Sequence, residues 1–344
     1  MRSADPRGRG ALVRLVYGYM ASQMIHVAVR LGVFDLVREA PRTDEELAGK
    51  TGTHPPSLLR LLRALASLGL LTEVEPRRFG PAGTGTRLES GAADGLNAIT
   101  RLFCSPEFWA SWGNLQYSIE TGKPAFELVH GMSFFTYLER HEELAATFND
   151  AMAENASFEA PRFVAGYDFS RFSRIVDVGG GNGSLLLAIL ARYPDLRGVV
   201  FETPPVAAEA RATVAAAGLV DRCAVVEGDF FEKIPVTGDA FLVKSVVHNW
   251  DDDRCVALLR TCRAAMPPEA ALLVLEPVLP AVMESAVCVE TVMSDLNMLA
   301  LTAGGFERSE ADFRRLFTRA GLALVSISPT IEATDFRVIE ARVA

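Results

Sequence analysis

Residues 175–184, IVDVGGGNGS, constrain this chain more than any other stretch: an apolar run, one acid, then four glycines in five positions. A β-strand followed by so bare a turn lets a ligand approach the backbone closely, at the carboxyl edge of a parallel sheet. Dinucleotides, phosphates and S-adenosylmethionine (SAM) are all held in this way. The turn alone leaves the three open.

From residue 166 onward the pattern alternates. Strand RIVDV leads through the glycines to helix SLLLAILARY, and strand RGVVFE leads to helix PPVAAEARATVAAAG. CAVVEGD and DAFLVK read as strands, DRCVALLRTCRAAM as a helix and ALLVLE as a strand. A last helix, SEADFRRLFTRAG, precedes strands LALVSISP and FRVIEARV. Short β-rich runs alternating with helices predict an α/β fold with a doubly wound parallel sheet. Two final strands with only a turn between them predict an antiparallel edge.

The ligand is narrowed by three acids. A dinucleotide enzyme calls for G-x-G-x-x-G, whereas here the spacing is G-x-G-x-G and Ser184 takes the sixth position. Asp177, inside the strand, would repel a phosphate but suits a cation, and SAM carries an ammonium and a sulfonium. Glu202 ends the next strand, where it can accept from a ribose diol. Asp229 and Phe230 follow the third strand, placed for an adenine amino group and ring. Each acid alone would read as a helix cap or a turn residue; three at successive strand ends favour SAM over NAD.

The first half is mostly helical. Thr43 with Glu46 forms a capping box, Gly52 stops that helix, Pro55 and Pro56 open the next, and LLTEVEPRRFGPAG reads as a hairpin. Helix, turn, helix, hairpin is the order of a winged helix. Its second helix sets Arg60 and Arg63 among seven leucines, which favours a packing scaffold over a DNA reader. The net charge of −9 repels polyanions, so no nucleic-acid partner is expected. Apolar residues at Leu12, Leu15, Val16, Tyr19 and Met20 point to burial against a second chain. The N-terminal ten residues read as polar and frayed, without the apolar core of a signal peptide. No run is long enough for a membrane span, and five scattered cysteines fit a reduced, cytoplasmic protein.

Of five histidines, His248 falls just past the fourth strand, on the ligand side; Asp251 already offers the cap for the helix that follows. An imidazole can take the proton of a phenol, and works better when carboxylates orient it. Glu276, ending the fifth strand, and Glu307 are the candidates. No His/Asp set has metal-ligand spacing, so metal-free chemistry is expected.

DVGGGNGS, FE, GDFF, LVKSVVHNWDDDRC, LEPVLP and GGFERSEADF, in this order and spacing, resemble the SAM-dependent O-methyltransferases of the caffeic-acid type, including the bacterial antibiotic-tailoring branch. The resemblance covers nearly the whole chain. It implies a class I methyltransferase Rossmann-like domain over 166–344, a winged-helix dimerisation domain over 1–105, and connecting helices over 106–165 that line an acceptor pocket between them. It also implies cofactor contacts at Gly179, Glu202, Asp229, Phe230 and Lys244, to which the reading of the turn adds Asp177 and Gly181, with S-adenosylhomocysteine as the product. His248 would be the base, flanked by Glu276 and Glu307. Met152 and Met298 would bracket a small aromatic acceptor, with Phe103, Trp109, Phe148 and Asn249 beside it. Asn249 stands where the family usually has Asp, and Glu202 replaces another Asp. The expected activity is methyl transfer to a phenolic hydroxyl of a secondary metabolite by a homodimer. Carbon or nitrogen methylation on the same scaffold, and a ligand-sensing DNA-binding regulator, are the alternatives.

Overall fold

The computed structural model describes residues 6–284 and 288–344. The chain divides into two compact units, one reaching to Trp109 and adding His141–Asn155, the other formed by Ala110–Arg140 and Ala156–Ala344.

In the first unit, helices α1 (Pro6–Val16), α2 (Gly18–Arg30) and α3 (Val33–Val37) lead into β1 (Arg42–Thr43). Residues 6–10, expected to be frayed, lie in α1; residues 1–5 of that expectation lie outside the described residues. Helix α4 (Asp44–Thr51) opens on the expected capping box and stops at Gly52, which is left-handed at φ 66°. Helix α5 (Pro55–Ser67) starts on the two prolines. Strands β2 (Leu71–Glu75) and β3 (Arg78–Pro81) form the wing, with β1 on the far side of β3. Phe34, Leu47, Leu58, Leu62, Leu65 and Phe79 make the core. Only one face of α5 is buried: Arg60 and Arg63 point outward, and Arg63 pairs with Glu73 at 3.4 Å.

Helices α6 (Asn97–Phe103) and α7 (Pro106–Trp112) follow. The second unit holds α8 (Leu115–Thr121), α9 (Ala125–His130) and α10 (Phe134–Arg140). Helix α11 (Glu142–Gly166) gives its first part to one unit and the rest to the other. Within the first unit, its Glu154 accepts from the backbone N–H groups of Asn97, Ala98 and Ile99, a carboxylate at a helix N-terminus.

The remainder is the expected alternation: β4 (Arg174–Val178), α12 (Ser184–Arg192), β5 (Arg197–Glu202), α13 (Pro204–Ala216), β6 (Cys223–Glu227), β7 (Ala240–Lys244), α14 (Asp252–Ala265), β8 (Ala271–Pro277), α15 (Val289–Leu301), α16 (Glu310–Ala320), β9 (Leu322–Ile327) and β10 (Phe336–Val343). The seven strands run in the order β6-β5-β4-β7-β8-β10-β9. All are parallel except β10, antiparallel to both β8 and β9. The chain steps outward from β4 to β6, then crosses back to β7, so the order reverses between β4 and β7. In sheets of this kind that reversal is where a ligand crevice lies, at the carboxyl ends, here between the glycine turn and residues 245–250. Helix α15 has no counterpart among the elements expected from the sequence pattern. Among the described residues, no helix is long and apolar enough to cross a membrane.

Candidate active site

The glycine turn folds back over its own acid. Gly179 and Gly181 are left-handed, at φ 70° and 57°. Gly180 must be glycine for a different reason: a Cβ there would lie 2.6 Å from the Asp177 carboxyl. Asp177 is 2% exposed, and its Oδ2 has no hydrogen-bond partner. Burial, helped by the nearby Glu202 charge and opposed by Lys244, pushes its carboxyl up to about 7. Glu202 accepts from Gly181 N–H at 3.3 Å and Thr203 N–H at 2.6 Å, tying the end of β5 to the turn. Phe230 lies against Gly179, while Asp229 is exposed and caps its own turn through Phe231 N–H at 2.7 Å. Lys244 forms an ion pair with Glu159 on α11, far away in sequence, and lies 5.4 Å from the Phe336 ring centroid.

This donor set fits SAM. Asp177 leaves a buried carboxyl oxygen without a hydrogen-bond partner at the bare turn, which suits a cationic ligand, and Glu202 stands at the next strand end.

Across the crevice, β7 ends at Lys244 and Ser245 takes the left-handed conformation at φ 54°. A single 3₁₀ turn, Val247–Asn249, presents His248. Its Nδ1 lies 3.0 Å from Glu307 Oε1 and 3.4 Å from Glu276 Oε2. Glu276 is also held from behind, its Oε1 accepting from Val247 N–H at 3.0 Å and His248 N–H at 3.4 Å. Helix α15 supports Glu307: Ser294 Oγ donates to its Oε1 at 2.9 Å, and its N–H donates to Asp295 Oδ1 at 2.8 Å. Both glutamates are buried. Burial works against a charged His248, but the two carboxylates outweigh it and hold the imidazole up at about 9. Burial likewise raises Glu276, against the pull of His248. With Nδ1 turned to the carboxylates, Nε2 is the ring nitrogen facing away from them. The three residues also offer ligand atoms within 4.8 Å of one another, although they carry no metal-ligand spacing in the sequence.

The six expected acceptor contacts divide between the units. Phe103 and Trp109, both part-exposed, belong to the first, as do Phe148 and Met152 on α11. Asn249 and Met298 belong to the second, where Asn249 Nδ2 is engaged by Ser245 O at 3.1 Å. Two neighbouring aromatics, Phe108 and Phe134, are buried, at 2% and 4% exposure.

The O-methyltransferase domain model matches residues 112–323, and the O-methyltransferase dimerisation domain model matches 13–88. The chain belongs to the SAM-dependent O-methyltransferase family. It is 40% identical to a phenazine O-methyltransferase of Lysobacter antibioticus, covering 96% of this chain and 95% of the relative. It is 41% identical to the O-demethylpuromycin-O-methyltransferase of Streptomyces alboniger, over 98% and 92%. An O-methyltransferase from neocarzinostatin biosynthesis, solved with SAM and 2-hydroxy-5-methyl naphthoic acid, superimposes with a TM-score of 0.81 at 31% identity, over 94% of this chain and 96% of that one. Not every relative works on oxygen: an 8-amino-8-demethylriboflavin N,N-dimethyltransferase of Streptomyces davaonensis is 36% identical over 93% of this chain and 91% of its own. The protein is thus a SAM-dependent methyltransferase of the aromatic secondary-metabolite type, and S-adenosylhomocysteine is its product.

Proposed function

We propose that this enzyme methylates a phenolic hydroxyl of a small aromatic metabolite, with His248 as the general base and no metal. The observation that carries this reading is the His248–Glu307–Glu276 cluster, whose two carboxylates face Nδ1 and leave Nε2 as the acceptor. When bound, SAM supplies an electrophilic methyl group. The chain's own work is to hold the acceptor hydroxyl beside Nε2, take its proton, and stabilise the resulting imidazolium through Glu307 and Glu276. Asp177, Gly179, Gly181, Glu202, Phe230 and Lys244 would hold the cofactor, and Asp229 would join them by swinging from its turn. Met152, Met298, Phe103, Trp109, Phe148 and Asn249 would line the acceptor. A hydrogen bond between Nδ1 and Glu307, with the Glu276 charge 3.4 Å away, accounts for the cluster without an ion.

The test is transfer of labelled methyl from SAM to a panel of hydroxylated aromatic acids, polyketide phenols and catechols, read by mass spectrometry. Label on a phenolic oxygen, lost in His248→Ala and kept after chelator treatment, supports the reading. Label on nitrogen selects the second reading, which the riboflavin-type relative favours. Loss of all activity on chelation, restored by a divalent cation, overturns the metal-free assignment.

A further inference from the structure

Beside Glu307 stands the largest fully buried side chain among the described residues, Arg308, at 1% exposure. Its Nη1 donates to Val247 O at 2.8 Å and its Nη2 to Trp250 O at 2.8 Å. Those two carbonyls bracket His248, one residue before it and two after. Nη2 also donates to Asp252 Oδ1 at 3.0 Å, and the guanidinium lies 4.1 Å over the Phe306 ring centroid. The Cys255 thiol donates to the same two carbonyls, at 3.2 and 3.4 Å. Gly305 brings the loop backbone onto the same turn: a Cβ there would lie 2.6 Å from His248 O and 2.9 Å from the Asn249 carbonyl carbon. One short loop therefore touches the turn at its backbone (Gly305), at its imidazole (Glu307) and at both flanks (Arg308).

We infer that Arg308 is a positioning residue for methyl transfer, a clamp that fixes the Val247–Trp250 turn so that His248 stays in register with Glu307. The inference rests on His248 being the base. Core packing alone would be served by an apolar side chain, without the desolvation of a guanidinium whose one carboxylate partner among the described residues is Asp252. What the guanidinium adds is a rigid planar fork that reaches two diverging carbonyls at once, which a lysine ammonium on its flexible stem cannot span. Because Glu307 and Arg308 are neighbours in the chain, the loop that orients the imidazole also fixes the backbone from which it projects.

The test is a double-mutant cycle in the full-length enzyme. Arg308→Met and Arg308→Lys are made with His248 present and with His248→Ala, and kcat, KM and SAM affinity are measured. Asp252 is partly exposed, so neither variant strands a fully buried charge. The expected result is a kcat lower by on the order of 10²-fold with His248 present, the size that slight misplacement of a reacting group produces, with acceptor KM and SAM affinity little changed. In the His248→Ala background neither variant should slow the reaction further. Unchanged kcat in Arg308→Met overturns the inference while leaving the base assignment standing, and so does an equal loss in both backgrounds, which marks a purely structural role. Near-normal kcat in His248→Ala alone removes the base, and with it the route by which Arg308 acts. Should Arg308→Met fail to bind SAM, Arg308→Lys provides the same comparison.

Discussion

Glu276 holds His248 at two points, one oxygen accepting from the backbone N–H at 3.4 Å and the other facing Nδ1 at 3.4 Å. Glu307 touches the ring alone, at 3.0 Å. The two glutamates therefore differ in what their loss does. Glu307→Gln keeps the shape but withdraws the charge that stabilises an imidazolium, so kcat should fall by about 10² or more while SAM affinity holds. Glu276→Gln should in addition lower the melting temperature, because the N–H groups of Val247 and His248 lose a charged acceptor. Steady-state kinetics beside thermal unfolding separates the two; equal melting temperatures would remove the second, structural role of Glu276.

His248 itself should be the most costly single change. His248→Ala should slow turnover by on the order of 10²–10⁴-fold with calorimetric SAM binding intact. Near-normal turnover would mean that alignment alone drives transfer.

The pH dependence follows from the same contacts. The groups facing the imidazole are Glu276, Glu307 and, with opposite effect, Lys244; together with burial they leave its affinity for a proton near 9, above the ordinary 6.5. Below that value the ring is imidazolium and cannot act as a base. In the free enzyme kcat/KM should therefore climb with pH, about tenfold per unit, and level off only near 9. An unpaired histidine would level off above about 6.5. A plateau by pH 7 would show that the carboxylates do not govern the base. In Glu307→Gln the whole profile should move to lower pH.

Much of this was legible because it is local. The Thr43–Glu46 box, the opening prolines of α5, the Asp251 cap and the glycine turn are each written within a few residues, and each was found where the pattern placed it. Strand ends brought Glu276 to the rim for the same reason. Helix α15 escaped because its polar residues face inward: Thr291 and Asn297 are buried, and Ser294 turns to Glu307, which blurs the apolar periodicity that marks a surface helix. Glu159 and Lys244 pair across a long sequence separation, which no window of sequence displays. Arg308 reads as one more charge in FERSEAD, and only the folded loop shows it buried.

Cofactor affinity should depend on the turn as a unit. Gly180→Ala places a methyl group against the Asp177 carboxyl, so SAM binding should weaken even though residue 180 is not among the expected cofactor contacts. Glu202→Ala should weaken it too, by removing the acceptor that ties β5 to Gly181. Isothermal titration with SAM reads both, and circular dichroism checks the fold. Unchanged affinity in Glu202→Ala would sink the diol assignment.

The last prediction concerns assembly. The chain carries the dimerisation domain of its family over residues 13–88, and we propose that it acts as a homodimer. Leu12, Leu15, Val16 and Tyr19 are 61%, 75%, 60% and 52% exposed along α1 and the start of α2, an apolar patch of the kind that marks an interface. Opposing copies would bury it twice over, so a single charge there acts on both sides of the contact. Leu15→Glu should shift the protein from dimer to monomer in light scattering, with the melting temperature lowered and dependent on concentration. SAM binding by the monomer should persist, since every expected cofactor contact lies in the second unit. A Leu15→Glu protein that stays dimeric would place the interface on another face.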